Sequence, residues 1–153
     1  MTEFALYLIL LVPSIGIVLL AFTSHYRIGA WLNVALSAAA FSGACLLFST
    51  PMVSGKFFLV DSFNIFLVVL NSFVGFTTSI FSASYIAHEL DEKNLTEGNL
   101  RFYHALYQAM MTAMNLALLS NNLGLMWVGI EVATLSTVVM VGIYRSPQAL
   151  EAA

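Results

Sequence analysis

One acidic residue, Glu131, lies deep in an uncharged stretch of the sequence. The stretch runs from Leu123 to Tyr144, LGLMWVGIEVATLSTVVMVGIY, with eight residues before Glu131 and thirteen after it. At about 1.5 Å of rise per helical residue, the carboxyl would lie about 12 Å from one helix end and about 20 Å from the other. A charge at the centre of a membrane helix costs about 2.5–3.5 kcal/mol on insertion scales. Such a residue normally faces protein or water and takes part in proton or ion handling.

Two roles are open for Glu131. Burial without a cation favours the protonated carboxyl, which would act as an interhelical hydrogen-bond donor. A nearby cation favours the charged form, and a carboxyl balanced between these influences can take up and release a proton. Thr134 shares the helical face of Glu131 and could hydrogen-bond its carboxyl. His104, at the start of the preceding apolar stretch, is the nearest candidate relay.

The composition excludes several classes of protein. Of the 153 residues, 60% are hydrophobic and 8% are charged, and the net charge is −3. A soluble domain carries about 25% charged residues. An ordinary soluble domain, a disordered chain and a nucleic-acid-binding protein are therefore excluded. The single cysteine and three scattered histidines have no metal-ligand spacing, so neither a metal site nor a cofactor is expected.

Charged clusters divide the chain into apolar stretches long enough to cross a bilayer, which takes about 20 residues. The prediction is a single all-α membrane domain over 1–153 with five transmembrane helices. Their ranges are 4–22, 30–48, 63–86, 102–119 and 123–144. A tight turn over Ser120–Gly124 separates the last two helices. A solvated loop is predicted over 88–101, which holds six of the thirteen charges, and a short surface strand over 57–60.

The basic residues predict an orientation. With five crossings, Lys56 would lie on the side of the N-terminus. The basic residues on the other side are Arg27, Lys93, Arg101 and Arg145. Lys and Arg mark the cytoplasmic side of a membrane protein. We therefore expect the N-terminus outside and the C-terminus inside.

The stretch from Trp127 to Tyr144 resembles the fifth helix of the antiporter-like membrane subunits. This family includes the proton-translocating subunits of NADH–quinone oxidoreductase, of Mrp-type antiporters and of membrane-bound hydrogenases. The segment FLVDSFNIF over 58–66, SYI over 84–86 and RFY over 101–103 are also similar to it. Within this family, the chain resembles component F of the hydrogenase-4, or formate hydrogenlyase, type.

The resemblance implies a function and a partner set. In the family, the fifth-helix glutamate pairs with a lysine on a later helix and modulates proton transfer, and Glu131 matches this glutamate. Family members have many more spans, so the chain resembles their N-terminal portion and an incomplete antiporter-like fold. The implied role is that of a non-redox, proton-translocating subunit without a cofactor. It would assemble with other membrane and redox subunits in the inner membrane of a prokaryote.

Two alternatives are consistent with the same residues. The first is a cation/proton antiporter module of the Mrp class, because the helix that contains Glu131 serves both classes. The second is a membrane scaffold, left by truncation, that docks other subunits without transporting anything. Ala35, Ala39 and Gly43, spaced four residues apart, predict a small-residue stripe on which another helix could pack.

Overall fold

The computed structural model describes residues 1–23, 25–91, 97–143 and 151. The described residues form five long helices and one small hairpin. The helices are α1 (Thr2–Phe22), α2 (Tyr26–Leu46), α3 (Ser62–Asp91), α4 (Glu97–Leu119) and α5 (Leu123–Gly142). Strands β1 (Val53–Ser54) and β2 (Leu59–Val60) pair antiparallel between α2 and α3.

Four of the described helices are long and apolar enough to cross a membrane: α1, α2, α3 and α5. The prediction of an all-α, multi-pass membrane protein is confirmed at this level. The predicted fourth span coincides with α4, which ends at Leu119 as expected. However, α4 is not among the four, because polar residues such as His104, Gln108 and Asn115 lower its hydropathy. The number of five spans therefore stays a prediction.

The predicted solvated loop over 88–101 is too long. Helix α3 continues to Asp91 and α4 begins at Glu97, so both described ends of this segment are helical. Residues 92–96 lie outside the described residues. Glu, Leu and Lys are good helix formers, so a helix that leaves the apolar region can continue into water. Charge density indicated where the chain meets water but not where the helices end.

Helix α1 contains one wider turn. Tyr7–Leu11 is π-helical, and the Val12 N–H donates to the Tyr7 carbonyl. Pro13, one residue further on, has no N–H to offer the carbonyl of Ile9. The wider turn lies directly before this missing hydrogen bond, as expected for a local adjustment of the helix to proline.

Helix α4 lies at the centre of the bundle. It packs against α1, α2, α3 and α5. Helix α5 packs mainly on α4, and the two backbones come close together at Gly129. A Cβ atom there would lie 2.8 Å from the Ala113 carbonyl oxygen and 3.0 Å from the Ala117 nitrogen. Only glycine allows the two backbones to come this close.

Three segments meet at one end of the bundle. The Asn121 backbone N–H donates to the Phe57 carbonyl at 2.8 Å, and the Asn121 side-chain amide donates to the Gly55 carbonyl at 2.6 Å. The start of α1 is there too, because Glu3 and Lys56 line one cavity of about 500 Å³. The hairpin lies where a surface strand was predicted over 57–60. Which side of the membrane this end faces stays a prediction.

The turn between α4 and α5 depends on Asn122. Its side-chain oxygen accepts from the N–H groups of Gly124 at 3.0 Å and Leu125 at 3.2 Å, and so caps α5. We expect Asn122→Ala to lower the free energy of unfolding by about 1 kcal/mol, whereas Asn122→Ser keeps an acceptor and most of the stability. Unfolding in mixed SDS micelles measures both. Equal unfolding midpoints for the two variants would contradict the assignment.

Candidate functional site

The carboxyl group of Glu131 points away from the other described helices. Gly129 and Ser136 are the buried residues of α5 and mark the side that packs on α4. At about 100° per residue, Glu131 lies about 200° around the helix from Gly129. Its neighbours on this outer face are Trp127, which is 62% exposed, and Leu135, which is 60% exposed. Among the described residues, no hydrogen bond or ion pair reaches the carboxyl.

Helix α5 is the least buried of the four apolar helices. Only 11% of its most apolar window is buried inside the described bundle, against 28–33% for the other three. Most of its surface is therefore free to contact lipid or other protein. Since an acidic side chain normally avoids lipid, the face that carries Glu131 requires a protein or water environment in a membrane.

Thr134 does not reach the carboxyl of Glu131. Its hydroxyl donates instead to the backbone carbonyl of Ile130 at 2.9 Å. This is the usual bond of a threonine inside a helix, where the preceding turn offers an acceptor. The side chain lines a groove of about 630 Å³ between α3, α4 and α5. Four methionines line this groove: Met110, Met111, Met114 and Met126.

His104 lies in the interior of the bundle rather than at its surface. The side chain is 2% exposed, and its ring contacts that of Tyr103 edge to face at 5.5 Å. The sequence predicts that His104 lies near the start of the fourth span, and its depth in the membrane stays a prediction. Helix α4 begins at Glu97, so His104 is already two turns inside a helix that four others surround.

His104 and Glu131 lie on opposite sides of α4. Ala113 and Ala117 mark the face of α4 that contacts α5. At about 100° per residue, Gln108 lies about 140–180° around α4 from these alanines, and His104 is one turn from Gln108 on the same face. The structure therefore does not bring together the two titratable residues that the sequence suggested as relay partners.

The interior of the bundle contains a second set of polar residues that sequence reasoning missed. The Gln108 amide nitrogen lies 2.8 Å from Asn33 Oδ1 and 3.0 Å from Ser37 Oγ. Further along α4, the Asn71 amide donates to Asn115 Oδ1 at 2.8 Å. These bonds join α4 to α2 and to α3. We call His104, Gln108 and Asn115 with their partners the polar file.

A signal for the polar file is present in the sequence. His104, Gln108 and Asn115 are four and seven residues apart and so share one face of a helix. Asn33 and Ser37 are also four apart. The predicted small-residue stripe is only partly buried, since Gly43 is buried but Ala35 is exposed. The buried face of α2 is the one that contains Asn33 and Ser37, because these polar side chains find their hydrogen-bond partners there.

The described bundle offers no cage for a metal ion. Among residues 1–23, 25–91, 97–143 and 151, no three His, Cys, Asp or Glu side chains come together in a way that could hold one. The polar groups that these helices do bring together are amides, hydroxyls and one imidazole. Hydrogen bonding and proton exchange are the chemistry that such groups support.

Fold and site together define a multi-pass helical membrane protein with a polar interior. The chain is 54% identical over 144 residues to the hydrogenase-4 component F homolog of Methylacidiphilum infernorum (isolate V4). The alignment covers 94% of this chain but only 30% of the relative, so the chain spans less than a third of the relative's length. The predicted resemblance to component F of the hydrogenase-4 type is confirmed. The 30% coverage of the relative agrees with the prediction that the chain resembles only the N-terminal portion of such a protein. No family model matches the chain, and no solved structure matches it.

Proposed function

We propose that this chain is part of a proton-translocating membrane subunit of a hydrogenase-like complex. The observation that carries the proposal is the 54% identity, over 94% of the chain, to a relative named for hydrogenase-4 component F. The helices agree with it, since four of them are long and apolar enough for a bilayer. Helix α4 is the fifth span, because a helix enclosed by four others does not need an apolar surface.

Glu131 is the proton-handling residue of this proposal. It lies eight residues after the start of α5 and eleven before its end, which is about 12 Å and about 17 Å along the axis. A carboxyl at that depth changes its protonation state when a cation or water approaches or withdraws. The proton binds at a carboxylate oxygen and leaves from the same group, so the residue returns to its starting state after each transfer.

The partners of the chain follow from the uncovered face of α5. Trp127, Leu135 and Glu131 share this face, and a carboxyl requires a polar neighbour at membrane depth. Other membrane segments cover the face in the assembled complex. The redox subunits of the complex carry out electron transfer, and this subunit moves protons. The complex lies in the inner membrane of a prokaryote.

Affinity purification tests the assignment to a hydrogenase-like complex. A tag on the chain, followed by purification from membranes in mild detergent, is expected to bring down hydrogenase subunits with hydrogen-dependent dye reduction. Untagged membranes are the control. Recovery of membrane subunits without hydrogenase activity, together with sodium-dependent proton exchange in vesicles, would contradict the proposal and favour an antiporter module.

A further inference from the structure

Four buried polar atoms between α2 and α4 have no hydrogen-bond partner among the described residues. They are both ring nitrogens of His104, the Gln108 side-chain oxygen and the Asn33 side-chain nitrogen. Gln108 and Asn33 are 0% exposed, so bulk solvent does not reach these atoms. A buried polar group left unpaired destabilises the folded protein. Groups of this kind in native proteins are normally satisfied by ordered water.

The four atoms belong to two adjacent levels of the contact between α2 and α4. At one level Gln108 bonds to Asn33. One turn earlier on both helices, the His104 ring lies beside Gly29. Four helical residues rise about 6 Å, which is about twice the length of a hydrogen bond. One water molecule between the levels can therefore bond to the imidazole and to the amide pair at the same time.

Gly29 leaves space next to the imidazole. A Cβ atom at Gly29 would lie 3.7 Å from His104 Cδ2 and 3.9 Å from Leu20 Cδ2 and Thr23 Cγ2, all of which are ordinary contact distances. None of the described residues beside the ring would therefore clash with a group of methyl size. A water molecule is of similar size and, unlike a methyl group, can hydrogen-bond to a ring nitrogen.

We propose that α2 and α4 bind water between His104, Gln108 and Asn33, and that His104 exchanges protons with this water. The Asn33 amide donates to the water, and the Gln108 oxygen accepts from it. A proton from water binds at the unprotonated ring nitrogen of His104, and the proton on the other ring nitrogen leaves to water. The imidazole is then neutral again as its other tautomer, and no further reactant is needed.

This site is distinct from Glu131, since α4 lies between the two. The binding of water does not depend on the proposed function. The role of His104 in proton movement does rest on it, because it adds a second station to the same subunit. The two claims therefore need separate readouts.

Water-to-nitrogen polarisation transfer in solid-state NMR tests the binding of water. The complex is purified with 15N-labelled histidine and placed in lipid nanodiscs. The resonance of His104 is assigned with His104→Gln. We expect transfer from water to His104 in the unmodified complex and a loss of at least about half of it in Gly29→Ala, whose methyl group takes the space. Gly142→Ala is the matched control, because no described residue outside its own turn of the helix lies within 4 Å of a Cβ at that position.

Several outcomes would overturn the proposal. Absence of transfer to His104 in the unmodified complex is one, and equal transfer in Gly29→Ala and Gly142→Ala is another. Gln108→Leu gives an independent test if Gly29→Ala fails to fold, because it removes the acceptor of the water and is expected to weaken transfer in the same way. Unchanged transfer in Gln108→Leu would also count against the site.

Proton uptake by vesicles tests the exchange step and separates it from the proposed function. His104→Gln keeps hydrogen-bonding atoms but cannot exchange a proton, and we expect proton uptake to fall several-fold. Unchanged uptake in His104→Gln would overturn the exchange step while the proposed function stands. Absence of uptake in the unmodified complex would overturn the proposed function, and the NMR signal of His104 would still decide whether water binds.

Discussion

Glu131→Gln is expected to lower redox-driven proton movement across membrane vesicles by about tenfold or more. Glutamine has nearly the same size and hydrogen-bonding reach as glutamate but cannot take up and release a proton. Since Glu131 lies on the outer face of α5, the change leaves the contact with α4 intact. Because glutamine also keeps the size and hydrogen-bonding reach of the side chain on the face that other segments cover, the amount of assembled complex on native gels is expected to stay the same. Quenching of a pH-sensitive acridine dye measures the proton gradient.

Glu3→Gln is the matched control. Glu3 is an exposed carboxyl at the start of α1, outside the middle of any span. The same chemical change there is expected to leave proton movement unaltered. If Glu131→Gln vesicles form the same gradient as Glu3→Gln vesicles, Glu131 has no part in proton transfer. A membrane scaffold would then be the better account of the chain.

Gly129→Val is expected to separate α5 from α4. Even a Cβ atom at this position would lie 2.8 Å from the Ala113 carbonyl oxygen and 3.1 Å from Ala117 Cβ. Both neighbours belong to the backbone or lie next to it and cannot turn away. Overpacking of this kind costs about 1–3 kcal/mol. The measurement is the SDS fraction at which the purified protein unfolds, and we expect it to fall.

Gly142→Val makes the same change on the same helix, at a position where a Cβ meets no neighbouring atom of the described residues within 4 Å. It is expected to unfold like the unmodified protein. Equal unfolding of the two valine variants would show that α5 does not pack closely on α4. Because Gly129 is two residues from Glu131, we also expect Gly129→Val to lower proton movement although the carboxyl is still present.

The sequence was sufficient for the positions of the helices but not for their ends. Apolar stretches predicted each of the five helices, and the turn residues Ser120–Gly124 predicted the break between α4 and α5. The predicted end of α3 and start of α4 were wrong, because charged residues, which favour contact with water, can also be good helix formers. Hydropathy measures how readily a residue leaves water, whereas helix propensity measures how readily it forms a helix.

The direction of a side chain was harder to predict than its depth. The depth of Glu131 follows from counting residues along α5, whereas its direction depends on where α4 packs. That contact is fixed by Gly129 and Ser136. His104 shows the same limit, since its burial follows from four surrounding helices rather than from its own sequence neighbours.

The most direct test of the central proposal is the proton gradient formed by inverted membrane vesicles during hydrogenase turnover. We expect the lumen to become acidic, a protonophore to collapse the gradient, and vesicles without this chain to form none. Hydrogenase turnover with an equal gradient in vesicles that lack the chain would contradict the proposal. Turnover with no gradient in vesicles that contain it would contradict the proposal as well.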